Sequence, residues 1–255
     1  MSRPGPRWPQ ADADGPRPVG VGPLRVAPGV WVVASPAGAA RHPVAARTTA
    51  ADRADARGRP GWRAAEILLG RGLLRGLLDL VVPDAADAPV VHTPAGRPEL
   101  AGWPRLGVSV SHDRGTVAAA VAVGRRVGVD VQHPVPDIRH RTLARCLRDH
   151  AASLTALPPR HRDLEFAWVW SAQEACVKAE GSGLAGRPWT VDVRPLHRRG
   201  RWRGYRWRSL RDQSPVPLSC AYGPPPRGVR LPEPPRTGAR PITRPSRREH
   251  DAPTT

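Results

Sequence analysis

The sequence predicts an α+β fold built from two halves of similar content. Helical and strand-like segments come in two runs of similar content, one before and one after about residue 124. Both ends of the chain are rich in proline and show no periodicity, which leaves a core of roughly 200 residues, enough for one large domain or two small ones. The two runs suggest related halves in a pseudo-twofold arrangement, without a detectable internal repeat.

Residues 1–23, rich in Pro, Gly and Asp, read as a disordered N-terminal segment. The N-terminal half, 24–123, opens with a short buried strand, Val30-Trp31-Val32-Val33. From Trp62 to Leu80 the apolar residues Ala65, Leu68, Leu69, Leu73, Leu77 and Leu80 recur near helical spacing, and Pro83 follows the end. Leu106 to Ser111 alternates as a strand does, and Thr116 to Val123 is a second strand. The turn Gly124-Arg125-Arg126 leads into a third, Val127 to Val131. In the C-terminal half, 124–222, two helices over 139–157 and 162–180 flank Pro158-Pro159. Thr190 to Arg194, Trp202 to Ser209 and Leu218 to Tyr222 are candidate closing strands. Residues 223–255, where seven arginines alternate with prolines, read as a disordered tail.

The net charge of +18 points to an anionic partner: nucleic acid, a phosphorylated small molecule or an acidic protein. Cys146, Cys176 and Cys220 have no metal-ligand spacing and suit a reducing compartment. No apolar run approaches the ~18 residues of a membrane span, and no secretory signal is visible at the N-terminus. These features predict a soluble cytoplasmic protein. The sequence has neither a P-loop nor a GxSxG nucleophile elbow.

Of the 40 basic residues one is a lysine, Lys178. An ammonium is a compact point charge and a guanidinium a wide fork, so a lysine kept among arginines marks a place where shape matters. On a helix, Trp170, Glu174, Lys178 and Gly181 share one face. The plain reading is an exposed i,i+4 ion pair worth about 0.2–0.5 kcal/mol. The functional one is a carboxylate that holds a metal, with an ammonium one turn on for a phosphate. Asp130 lies in an apolar strand, Gly128-Val129-Asp130-Val131-Gln132, where a carboxylate is costly unless paired or bound to a cation. Mg2+ accepts one or two carboxylates together with substrate phosphates. A strand-end cap is the alternative for Asp130. Ser111-His112 ends a strand at a turn, and strand neighbours point to opposite faces, so the pair reads as phosphate donors rather than a hydrolase dyad.

Gly96-Arg97-Pro98, Ser111-His112, Gly128-Val129-Asp130 and, about forty residues on, Trp170-Ser-x-x-Glu174-x-x-x-Lys178-x-x-Gly181 stand in one order. Together they resemble the motifs of the 4'-phosphopantetheinyl transferases, most closely the Sfp type. The resemblance covers about 60–185. It implies that family's two-halved fold with the site between the halves, and a monomer that builds the whole cleft. It implies transfer of the phosphopantetheine arm of coenzyme A to a serine of an apo acyl or peptidyl carrier protein, with adenosine 3',5'-bisphosphate released. By similarity Asp130 and Glu174 bind Mg2+, with Gln132 at the third ligand position. Ser111 and His112 face the phosphates, Lys178 meets the phosphate under attack, Arg97 sits near the nucleotide phosphate and Arg75 takes another basic position of the coenzyme A site. Glu174, Lys178 and His112 form the catalytic set. The layout leans toward polyketide or nonribosomal-peptide metabolism.

Two positions depart from the pattern. Gln132 stands where the family has a glutamate and cannot be a general base, which leaves Glu174, Asp113 or a metal-bound water as proton acceptor. Gln173 replaces a lysine before Glu174. A weakly active or degenerate homologue is one alternative outcome. The other is a basic nucleic-acid-binding module, in which Trp202, Tyr205 and Trp207 among arginines stack bases; the same alternation fits a strand with one aromatic face, and on that ground nucleic acid is not the expected partner.

Overall fold

The computed structural model describes residues 21–35 and 47–224. The expected disordered ends lie outside these residues, except for 21–23, which begin a strand, and 223–224. Helix and strand are mixed, as an α+β reading requires. Strands β1 (Val21–Ala27) and β2 (Val30–Ser35) are followed by helices α1 (Ala50–Ala56) and α2 (Gly61–Val81). Then come β3 (Val90–His92), β4 (Pro98–Leu100), β5 (Leu106–Asp113), β6 (Thr116–Val123) and β7 (Val127–Val131). Helices α3 (His140–Leu147), α4 (Ala151–Thr155) and α5 (Pro159–Glu180) precede β8 (Arg199–Trp202), β9 (Tyr205–Ser209) and β10 (Leu218–Tyr222).

The strands form two antiparallel sheets, ordered β1-β2-β6-β5-β4-β3 and β7-β10-β9-β8. Three apolar clusters stack them into four layers. Leu73, Leu74, Leu77 and Leu78 of α2 pack on Val33, Val108, Val117, Ala119 and Val121 of the larger sheet. The opposite face of that sheet, with Val30, Val32, Ala118 and Ala120, meets Val127, Val129, Val131, Leu218 and Cys220 of the smaller one. The outer face of the smaller sheet is covered by α5, whose Val169, Ala172, Ala175, Cys176 and Ala179 share a cluster with Trp207 and Ala221. No helix among the described residues is long and apolar enough to cross a membrane.

The seam between the sheets follows from period-2 alternation along β5. Leu106, Val108 and Val110 turn toward α2, so Gly107, Ser109 and Ser111 face β7. A Cβ on Gly107 would lie 2.3 Å from the Arg125 carbonyl oxygen, so only glycine admits the β6–β7 turn there. The Ser109 and Ser111 hydroxyls accept the Val129 and Val131 amides at 3.1 and 3.3 Å, satisfying donors on the edge of β7 away from β10. Gly128 does the same for α5: its Cβ would lie 2.1 Å from the Ala175 carbonyl oxygen and 2.5 Å from the Ala179 nitrogen.

Four expectations are corrected. Residues 190–194 are not a strand: a 3-10 turn spans Pro188–Thr190, and Val191 and Val193 bury their side chains against α5 without pairing to another strand. Their alternation recorded half-burial alone. The segment 202–209 folds back as a hairpin at Arg203 and Gly204, both at positive φ (44° and 82°). The helix expected over 139–157 breaks at Arg148 (φ 51°), leaving α3, a 3-10 turn and α4. The next helix starts at Pro159 rather than 162, since proline fits the first helical turn. Trp202, Tyr205 and Trp207 pack on the α5 cluster, the single aromatic face that their spacing suggested.

Candidate functional site

Gly128 and Asp130 share a face of β7 by strand alternation. The approach that Gly128 permits therefore brings α5 over Asp130, and Glu174 and Lys178, one turn apart, come with it. The Lys178 ammonium donates to Asp130 Oδ1 at 2.6 Å and to the Ser111 hydroxyl at 3.0 Å. Ser111 in turn donates to Asp130 Oδ1 at 2.8 Å. The Asp130 side chain is 7% exposed and that of Lys178 29%, so the ammonium lies between the buried carboxylate and solvent. Burial pushes the Asp130 carboxyl above the usual carboxylate range, against the opposing pull of Lys178 and Ser111. Burial, and then the charge of Asp130, push Glu174 up to about 7, with Lys178 opposing.

His112 sits beside this cluster. Its Nε2 accepts from Arg63 at 2.7 Å and lies 3.2 Å from a Glu66 carboxylate oxygen, and Arg63 bridges to the same oxygen at 3.1 Å. Burial first, then Arg63 and Lys178, push the imidazole below its ordinary value, while Glu66 and Asp113 oppose them. The arrangement suits a neutral imidazole with Nε2 as acceptor. Arg63 and Glu66 were not singled out from sequence, because an i,i+3 Arg–Glu pair early in a helix looks like an ordinary solvated pair.

The other predicted residues divide. Arg97 lies at the C-terminal end of α5: a Cβ on Gly181 (φ 89°) would be 3.1 Å from Arg97 Cδ. Its guanidinium pairs with Glu99 and borders a cleft of about 360 Å³ shared with Trp103, Arg105, Arg125 and Arg126. Arg75 is not brought to the site. It is fully buried, holds Asp52 of α1 through both Nε and Nη2 at 3.0 and 2.9 Å, and donates to the Ala86 and Ala88 carbonyls. It ties α1 to α2 and to the turn after α2, with no route to a ligand. Gln132 is drawn away as well, its amide nitrogen donating to Asp113 at 3.1 Å and to the His133 carbonyl at 3.0 Å. Gln173 faces the core, donating to the Cys146 and Val191 carbonyls at 2.8 and 2.9 Å, so its side chain adds nothing to the site.

Among the described residues no group of three or more His, Cys, Asp or Glu side chains is arranged to hold a metal. Asp130 and Glu174 are the two carboxylates that the cluster offers to a cation. That fits Mg2+, which is held by one or two carboxylates together with substrate phosphates and water. The cluster as a whole offers two carboxylates, one ammonium, one hydroxyl and a neutral imidazole, the groups that a phosphoanhydride and a divalent cation require.

The chain's C-terminal half matches a family model: residues 126–216 correspond to the 4'-phosphopantetheinyl transferase superfamily. The matched stretch contains Asp130, Gln132, Glu174 and Lys178, whereas Arg97, Ser111 and His112 precede it. No curated protein matches the chain significantly. The match suggests a transferase that works with coenzyme A and a carrier protein.

Proposed function

We propose that the protein is a Mg-dependent, Sfp-type 4'-phosphopantetheinyl transferase, moving the arm of coenzyme A to a serine of an acyl or peptidyl carrier protein and releasing adenosine 3',5'-bisphosphate. One observation supports the reading most: Asp130 and Lys178 meet at Ser111, where β5, β7 and α5 come together, and Glu174, one turn before Lys178, lies near enough to Asp130 to feel its charge. The reading takes the two helix-backed sheets as pseudo-twofold halves with the site between them, each backed by one long helix of 21 or 22 residues. It takes the protein as a cytoplasmic monomer serving secondary metabolism; the three buried free cysteines suit a reducing compartment.

Asp130 and Glu174 would hold the Mg2+, which supplies neutralisation of phosphate charge as the arm is transferred. Lys178 releases one of its two partners to a phosphate oxygen, which it approaches as a point charge. Ser111 spends its one O–H on Asp130 and so holds that carboxylate in place, while His112 Nδ1–H would offer a donor to the phosphates, as a positioned group does. Gln132 is no base, and Asp113 already accepts from Gln132 and from the His133 amide. Among the chain's carboxylates that leaves Glu174, which burial raises in the metal-free protein, as the acceptor for the carrier serine proton.

The test is incubation with coenzyme A, Mg2+ and several apo carrier proteins, read by intact mass. The expected result is addition of one phosphopantetheine arm per carrier. No addition to any carrier, with coenzyme A binding intact, overturns the reading.

A further inference from the structure

The β8–β9 hairpin carries a feature that the proposed reaction does not use. Its register sets Arg199 opposite Arg208 and Arg201 opposite Arg206, with Gly200 and Trp207 paired between them. Trp207 turns into the α5 cluster, so the four arginines share the opposite face. Opposed residues lie about 5 Å apart at Cβ and residues two apart on a strand about 7 Å, and opposed like charges destabilise a hairpin. Charge on an edge strand such as β8 guards against stray pairing. Arg206 and Arg208, however, lie on β9, between β8 and β10, where there is no edge to guard.

The hairpin's ion pairs fall elsewhere, Arg198 with Asp212 and Arg203 with Glu180. Among the described residues no carboxylate pairs with the four opposed arginines; Arg208 donates to the Val26 carbonyl at 3.0 Å. The row continues inward with Tyr222 opposite Arg206, and the Arg125 guanidinium lies 5.8 Å over the Tyr222 ring. Arg125 Nε is buried without a hydrogen-bond partner. The four arginines and Tyr222 line a groove of about 680 Å³, within the size range of small-molecule sites.

We propose that this arginine face is a binding site for a small molecule carrying two or more phosphate groups, separate from the Asp130–Lys178 cluster. Guanidinium forks take phosphate oxygens in bidentate fashion, so each opposed pair forms a seat for one phosphate. The two seats lie one strand repeat apart, about 7 Å at the backbone, a separation that the outer phosphates of a triphosphate reach with the long arginine side chains leaning inward. A bound anion also removes the repulsion built into the hairpin. A nucleic-acid strand fits less well: Trp202, Tyr205 and Trp207 pack toward the core, and Tyr222 is covered by Arg125, so no open stacking platform remains.

The test uses the full chain at 0.15 M salt, titrated with inorganic tripolyphosphate, pyrophosphate and phosphate and with a (dT)15 oligonucleotide. Arginine Nε–Hε resonances and thermal midpoints are followed for the parent, for R201Q/R206Q and, as a second variant, for R199Q. Tripolyphosphate should bind at least about tenfold more tightly than phosphate and protect the parent against heat. R201Q/R206Q should be more stable than the parent without anion, yet lose most of that protection while still binding coenzyme A. R199Q should weaken tripolyphosphate to a smaller degree. The proposal is overturned if tripolyphosphate protects R201Q/R206Q as well as the parent, if it binds no better than phosphate, or if (dT)15 binds more tightly at equal phosphate concentration.

Discussion

Gly128→Ala tests the contact on which the whole site depends. The added methyl would stand 2.1 Å from the Ala175 carbonyl oxygen, 2.5 Å from the Ala179 nitrogen and 2.9 Å from Lys178 Cβ. The two nearest atoms are backbone of α5, so no rotamer change relieves the clash and the helix must retreat by more than about 1 Å to reach normal contact. Overpacking of this kind costs about 1–3 kcal/mol, and a rigid neighbour places the cost near the upper end. For a chain of this size each kcal/mol moves the thermal midpoint by about 2–4 °C, so a fall of about 6–12 °C is expected. The retreat also carries Lys178 away from Asp130, now 2.6 Å distant. A shift of about 1 Å at a positioned group lowers turnover by about a hundredfold. Differential scanning calorimetry and the carrier-loading assay read the two effects, with Gly61→Ala as control. Nothing lies within 4 Å of a Cβ there, at the first residue of α2, and alanine should be neutral or stabilise by up to about 1 kcal/mol. If Gly128→Ala melts within a degree of the parent, α5 is not seated on Gly128 and the account of the site fails.

Three further substitutions separate the parts of the structure. Lys178→Arg keeps the charge but puts a fork where 2.6 and 3.0 Å contacts already enclose the ammonium; turnover should drop by at least about tenfold with little change in midpoint, and normal turnover would refute the shape argument. Asp52→Asn leaves the fully buried Arg75 without its counter-charge and should cost about 3–5 kcal/mol, read by urea unfolding, while coenzyme A affinity of the folded protein stays at the parent value; a loss of affinity would return Arg75 to the site. Gln132→Glu replaces a donor to Asp113 with a second carboxylate and forfeits a hydrogen bond to a charged acceptor, worth about 1.5–3 kcal/mol. The repulsion raises the pKa of the carboxylate pair in the folded state, so the loss should be full at neutral pH and should fade as acid protonates one partner. Equal loss at pH 5 and pH 8 would contradict that pairing.

What was legible in the sequence had a period or a proline. The alternation of β5 and the apolar spacing of α2 marked those elements, and Pro158-Pro159 marked the break before α5. The features that were missed lacked a period or depended on distant partners. The short strands β3 and β4 give too few residues for a pattern, and α1 is polar apart from its alanines. Arg75 looked like a ligand-facing cation because its partner Asp52 lies 23 positions earlier, in a helix that composition did not reveal. Gln173 adjoins Glu174 in the sequence, which alone reads it as one cation fewer at the site. A one-residue step on a helix turns a side chain by about 100°, and that carries Gln173 to the carbonyls of Cys146 and Val191. Adjacency in a motif does not imply adjacency in space.

Ser111 shows why the site lies where it does. Its hydroxyl accepts the Val131 amide, which closes the seam between the sheets, and it donates to Asp130, which fixes the carboxylate under Lys178. A larger residue would part β5 from β7. Alanine would leave the Val131 amide and one Asp130 lone pair without a partner at the same moment. Small size and a hydroxyl are thus required for packing before any chemistry is considered, and the same hydroxyl holds Asp130 beneath Lys178. The cluster of carboxylates and ammonium sits at the seam because that is where the fold needs small polar residues and glycines, and where α5 can come within reach of a strand.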